Sequence, residues 1–141
     1  MMLYLDTSIL VTVFTPEPET PKVQNWLEAR MAEHLVISDW VITEFSAALS
    51  LKLRTGQVSG DQRARALNLF NRAVADNISI APVVQKHFTL ATRFANQASS
   101  GLRAGDALHL AIAADIGAVL CTRDRRLLEA AIAQAVPALA P

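Results

Sequence analysis

A single cysteine in 141 residues, Cys121, excludes an internal disulfide, and no pair of cysteines or histidines stands at the spacing a zinc site needs. Charge is scarce: 13 acidic and 13 basic residues cancel, and only 18% of the chain is charged. No global field therefore draws the protein to nucleic acid or to an anionic membrane, and any polyanion has to be held by a local patch. Apolar residues make up 52%, which excludes disorder. Yet no apolar run approaches the 18 or so uninterrupted residues of a membrane span. Met1–Leu10 has neither a basic n-region nor a small-residue cleavage site, so a reducing cytoplasm is the expected compartment. Repeats, linkers and low-complexity segments are also missing, and the length suits a single domain over 1–141 with one core.

What is present is an alternation of two hydrophobic periods. MLYL (2–5), HLVIS (34–38), ISIA (78–81) and AVLCT (118–122) have strand length and β-branched content. Helical spacing recurs between them. Residues 19–33 set Val23, Trp26, Leu27 and Arg30 on one face, with Pro21 in the first turn. Ser38 or Asp39 caps a helix over 40–54 that Gly56 ends, and 59–76 follows with Leu67, Phe70 and Val74 aligned. Further helices are predicted at 84–98, at 104–116 (closed by Gly117) and at 124–135. VPAL (136–139) suits a short edge strand, where Pro137 is tolerable. Strands separated by helices imply right-handed crossovers, hence an α/β fold of three layers, α/β/α, around a mainly parallel four- or five-stranded sheet.

Ligands of such sheets sit beyond the carboxyl ends of the strands, where helices begin. Four acids fall there. Asp6 follows the first strand in LYLDTS, Asp124 stands two residues beyond AVLCT, Glu44 lies one turn into the helix after HLVIS, and Asp106 opens the helix in GLRAGDALHLA. Each has an ordinary explanation alone: Asp6 and Asp124 as helix caps, Asp106 as a first-turn acid, Glu44 as a surface residue. Glu44 fits its explanation badly, because Val41, Ile42, Phe45, Ala47, Ala48 and Leu49 make that helix apolar over most of its circumference. Acids gathered in one cleft repel one another and resist ionising, which a hard divalent cation relieves. A set of oxygen donors points to Mg²⁺ or Mn²⁺. The matching chemistry is phosphodiester hydrolysis, in which the ion lowers the pKa of a water and neutralises charge on the phosphate. Thr7 and Ser8 then cap the following helix or orient the Asp6 carboxylate and its water.

YLDTSILV at 4–11, Glu44 within VITEFSAAL, GLRAGDALHLA at 101–111 and LCTRDRRLLEAA at 120–131 resemble the PIN-domain ribonucleases, specifically VapC-like toxins of bacterial toxin–antitoxin pairs. The likeness spans essentially the whole chain. It implies a PIN-like fold and a metal-dependent endoribonuclease, with Asp6, Glu44, Asp106 and Asp124 in the four acidic positions and the Thr122 hydroxyl nearby. It also implies a homodimer and a cognate antitoxin whose C-terminal segment blocks the cleft.

Arg125 and Arg126 stand in the first turn of the last helix, the end whose dipole disfavours cations. With Arg103 and Arg123 they are candidates for a local patch that holds RNA phosphates, against the alternative of ordinary surface arginines. His109, one turn after Asp106, reads as a structural histidine bonded to a neighbouring side chain rather than a general base. Trp26, Trp40 and Phe70 read as core rather than base-stacking residues, and Asp39 as a capping residue rather than a fifth acid. The helix over 40–54, apolar nearly all round, is expected to be covered on a second side by another subunit. A receiver-like signalling module wants paired acids after its first strand and a late lysine, but no lysine follows Lys86. A phosphatase with two aspartates flanking one residue is poorly matched by Ser8 in the second place. A regulatory protein whose acids bind metal without turnover stays open at this point.

Overall fold

The computed structural model describes residues 1–141. Strands Met2–Leu5 (β1), His34–Ser38 (β2), Ile78–Ala81 (β3), Val119–Cys121 (β4) and Ala138–Leu139 (β5) form one sheet in the order β3-β2-β1-β4-β5. Every neighbouring pair is parallel. The helices are Thr7–Phe14 (α1), Thr20–Glu28 (α2), Asp39–Arg54 (α3), Gly60–Asn77 (α4), Gln85–Ala95 (α5), Ala104–Ile116 (α6) and Arg125–Ala133 (α7). The sheet grows outward from β1 through β2 to β3, then resumes on the other side of β1 with β4. That reversal opens a crevice between the carboxyl ends of β1 and β4, the place where open parallel sheets receive ligands.

Burial explains the strand composition. Leu3, Tyr4 and Leu5 on the central strand are all buried, as are Leu35, Val36 and Ile37, because helices cover both faces of the sheet. One continuous core joins them to Phe45, Leu49, Leu110 and Ile112 from the helices. Phe45 stacks on Phe70 with centroids 4.1 Å apart, and Phe14 meets both edge-on, which pins α1, α3 and α4 to one another. Phe70 is thus core, as expected from its helical spacing.

Most predicted ends hold. The Ser38 hydroxyl caps α3 and Ser59 forms a capping box with Gln62 at the start of α4. Gly117 closes α6 at φ 69°, a left-handed value that costs a glycine nothing. Helix α2 ends at Glu28, short of 33, because the chain tightens into turns there: the N–H groups of Arg30 and Met31 donate to the carbonyls of Leu27 and Glu28. Helix α5 ends at Ala95, short of the predicted 98, and a 3₁₀ turn follows at Ala98–Ser100. Ala135, at φ 56°, occupies the left-handed position after α7 that glycine usually fills.

Candidate active site

All the acids singled out from the sequence stand at the carboxyl edge of the sheet. Asp6 directly follows β1 and is 3% exposed. Its Oδ1 accepts from the Ser8 hydroxyl at 2.5 Å and from the Ile9 N–H at 3.4 Å, and its Oδ2 accepts from the Thr122 hydroxyl at 2.5 Å. Across the crevice, Asp124 caps α7, its Oδ1 accepting from the N–H groups of Arg126 at 2.9 Å and Leu127 at 3.2 Å. Thr122 ties the two together, because the hydroxyl that donates to Asp6 accepts from the Asp124 N–H at 2.9 Å. Ser8 closes a second link by accepting from the Arg123 N–H at 2.9 Å. Both aspartates are therefore caps, and capping leaves each with oxygen capacity to spare.

Glu44 reaches the same edge from α3. Its Oε1 accepts from the Thr7 hydroxyl at 2.6 Å and is hydrogen-bonded to His109 Nε2. His109 is buried, and its Nδ1 lies 2.8 Å from the Tyr4 hydroxyl, so the structural reading of this histidine holds. Gly105 lets the first turn of α6 close onto Glu44. A Cβ at that position would stand 3.0 Å from Glu44 Oε2 and 3.4 Å from Trp40 Nε1. The next residue, Asp106, thereby comes close enough to the others to be governed by their charges. Burial raises its carboxyl first, Asp124 adds to the rise, and Asp6 and Glu44 contribute against an opposing pull from His109; the result is a pKa of about 6. Asp6 is likewise pushed up by burial, against the lowering effect of His109 and of the Ser8, Thr122 and Ile9 donors. For Glu44 burial also acts upward, but the His109 bond and charge and the Thr7 hydroxyl outweigh it and hold the group below the usual range.

Residues 3–133 match the family model described as the PIN domain. The chain belongs to the PIN-domain family. A relative named Ribonuclease VapC47, from Mycobacterium tuberculosis, is 33% identical over 132 residues, covering 90% of this chain and 88% of the relative. Among solved structures, VapBC2 from Rickettsia felis, bound to a DNA fragment from its promoter, superposes with a TM-score of 0.74 at 18% identity, covering 99% of this chain and 98% of that one. Mycobacterium tuberculosis VapC20, described as a sarcin–ricin loop cleaving toxin, superposes at 0.72 with 14% identity, over 91% and 94% of the two chains. These two likenesses concern the fold.

In this PIN domain three of the candidate arginines stay with the acids. Arg103, Arg125 and Arg126 line, together with Asp106 and Asp124, a hollow of about 220 Å³ walled by charged residues alone. Arg126 donates to the Gly101 carbonyl at 3.3 Å and Arg125 lies 3.3 Å from Glu129, both in exposed positions. Arg123 departs from the expected patch: its guanidinium turns away to Thr12 Oγ1 at 2.6 Å and Glu17 Oε1 at 3.6 Å. Glu17 also holds Lys52 at 3.1 Å, so Arg123 braces the loop that carries Asp124 against α1 and α3. Asp39 is exposed in the first turn of α3 and makes no side-chain bond to the acids.

No three acidic, histidine or cysteine side chains are placed closely enough to hold a cation between them. The fit to a hard divalent ion rests on donor chemistry. Asp6, Glu44, Asp106 and Asp124 offer only oxygens, and a cation between them would relieve both the burial and the repulsion by Asp124 that raise the Asp106 carboxyl. The hydrogen-bonded pair Tyr4 and His109 and the bare backbone at Gly105 were not singled out as site features by sequence reasoning. One signal was available: Tyr4 is the only tyrosine of the chain, a polar tip on an otherwise apolar central strand.

Proposed function

We propose that this PIN domain is a Mg²⁺- or Mn²⁺-dependent endoribonuclease, the toxin of a toxin–antitoxin pair, which hydrolyses RNA phosphodiester bonds at the cleft of Asp6, Glu44, Asp106 and Asp124. The observation that carries the reading is the gathering of Asp6, Glu44, Asp106 and Asp124 at the carboxyl edge of the sheet, where burial and the neighbouring Asp124 charge raise the Asp106 carboxyl. When bound, the ion supplies Lewis-acid activation of water and neutralisation of phosphate charge. The protein's own residues do the rest. Asp6, Glu44, Asp106 and Asp124 would hold the cation; Ser8 and Thr122 fix the Asp6 carboxylate, and Thr7 fixes Glu44. Arg103, Arg125 and Arg126 face the hollow beside Asp106 and Asp124 and would take phosphates on either side of the cut, without reading sequence.

The names of the relatives support this reading: VapC47 is called a ribonuclease and VapC20 a toxin that cleaves the sarcin–ricin loop. VapBC2 supports a dedicated antitoxin partner. A homodimer is part of the proposal, though α3 supplies less of its face than its composition suggests. Val41, Phe45 and Leu49 are consumed by the core, and the large apolar residues that α3 leaves exposed are Leu51 and Leu53 near its end. A second apolar face lies at the start of α5, where Val84, just before the helix, and Phe88 are exposed beside an apolar hollow of about 280 Å³ walled by Trp40, Ala91 and Leu108. No helix is long and apolar enough to cross a membrane, in keeping with the proposed cytoplasmic site of action.

The test is cleavage of RNA by the purified chain with Mn²⁺ and with EDTA, beside an Asp6→Asn variant. Cutting that needs the ion and is lost in the variant is expected. Full activity in EDTA, or in the variant, overturns the reading.

A further inference from the structure

Glu44 differs from the three aspartates in how it is held. Asp6 and Asp124 take bonds from the backbone of the helices they cap, and Asp106 rises from the first turn of α6. Glu44 sits on a longer side chain with no backbone donor, and both of its bonds come from side chains that meet at Oε1. The first is the Thr7 hydroxyl. The second is His109, whose partners continue inward: Nδ1 to the Tyr4 hydroxyl at 2.8 Å, and that hydroxyl to Ser38 Oγ at 2.8 Å. All three inner residues are buried, with Tyr4 and Ser38 at 0% exposure.

The direction of the chain follows from what each atom can do. A carboxylate only accepts, so His109 Nε2 carries a proton. Nδ1 pairs with the Tyr4 hydroxyl, that hydroxyl pairs with Ser38, and Ser38 still accepts the Val41 N–H that it caps at 3.4 Å. Every atom is then satisfied, and burial shields these bonds from exchange with water. The ring cannot rotate without orphaning a buried hydroxyl. Glu44 Oε1 is thereby turned inward, while Oε2 lies against the bare backbone of Gly105, one residue from Asp106.

We propose that Tyr4 and His109 are positioning residues for Glu44, locking one carboxylate oxygen into the interior so that Oε2 alone is presented to the cation between the acids. This rests on the four-acid reading given above. It assigns to the buried histidine a function beyond packing, without making it a base. It also accounts for the pairing of a tyrosine in the central strand with a histidine one turn beyond Asp106.

The experiment is Mn²⁺ binding to the metal-free protein, measured by calorimetry and by the thermal shift the ion produces. It compares wild type with Tyr4→Phe, His109→Asn and His109→Gln. Tyr4→Phe keeps the ring and its packing. His109→Gln retains an N–H able to reach Glu44, whereas the shorter asparagine does not. The expected result is Mn²⁺ affinity about 10–100-fold weaker in His109→Asn, the usual cost of removing a group that orients a ligand. A smaller loss is expected in Tyr4→Phe, with partial recovery in His109→Gln relative to His109→Asn. Should His109→Asn not fold, Tyr4→Phe and His109→Gln decide alone. Variants that fold and bind Mn²⁺ at the wild-type concentration overturn the positioning role and leave the four-acid site standing. Wild type that binds no Mn²⁺ overturns both.

Discussion

Removing the Asp106 charge should make the metal-free protein more stable while destroying its activity. The carboxyl sits at about 6 in the folded protein against an ordinary value of 3.8, mainly through burial and the charge of Asp124. A group whose pKa is raised by folding gives stability below its unfolded pKa and withdraws it as pH rises through the folded one. The window is therefore pH 4 to 6, with the loss complete above it. A displacement of about two pKa units corresponds to roughly 3 kcal/mol, and screening in a half-open cleft reduces this to about 1–2 kcal/mol. Asp106→Asn removes the repulsion and keeps the shape. At pH 7.5 in EDTA it should be about 1–2 kcal/mol more stable than wild type, and near pH 4 the two should converge. For a chain of this length that is a rise in Tm of about 3–4 °C per kcal/mol. Urea denaturation at several pH values measures it directly. Added Mn²⁺ should reverse the order, because binding to the folded wild type stabilises it by mass action whereas the variant has lost a ligand. A variant that in EDTA is no more stable at pH 7.5 than wild type, or that keeps the wild-type slope between pH 4 and 6, refutes the idea of acids assembled against their own repulsion.

Changing Arg125 and Arg126 together to Gln should weaken RNA binding and flatten its salt dependence, by about 0.7 in log–log slope for each single-strand phosphate no longer neutralised; an unchanged slope assigns both to ordinary surface. Binding is best measured in an Asp6→Asn background, so that cleavage does not intervene. Hydrolysis by activated water leaves the ribose 2′-hydroxyl unused, so end analysis should find 5′-phosphate and 3′-hydroxyl termini, and a 2′,3′-cyclic phosphate would contradict the mechanism. Ala135→Gly should stabilise the protein by about 1 kcal/mol, since φ 56° strains an alanine and not a glycine, and thermal denaturation showing no gain would place the strain elsewhere.

Where patterns are local, they could be read from the chain. The apolar runs at 2–5, 34–38 and 78–81 are strands to the residue, and the helix over 104–116 begins and ends where predicted, because a capping glycine and a change of hydrophobic period need only neighbours in sequence. The end of α2 could not be read in this way. The apolar spacing continues past Glu28, but the chain has to turn there so that the His34 N–H meets the Met1 carbonyl and β2 joins the sheet. Arginines show the same divide. Arg123, Arg125 and Arg126 are near neighbours in sequence, yet Glu17, far away in the chain, claims the first and leaves the other two beside the acids.

Sequence alone determined the alternation of strands and helices, and with it the edge on which Asp6, Glu44, Asp106 and Asp124 had to lie, because strand ends and helix starts follow from hydrophobic period and caps. Tertiary structure decided how those acids are held and charged. Thr122 reaches Asp6 across 116 positions, His109 reaches Glu44 across 65, and Tyr4 reaches His109 across 105. No local rule links such pairs. They meet because the reversal of strand order places β1 beside β4, and because Gly105 allows α6 to close on α3, so the burial and mutual repulsion that set the Asp106 carboxyl exist only in the folded chain.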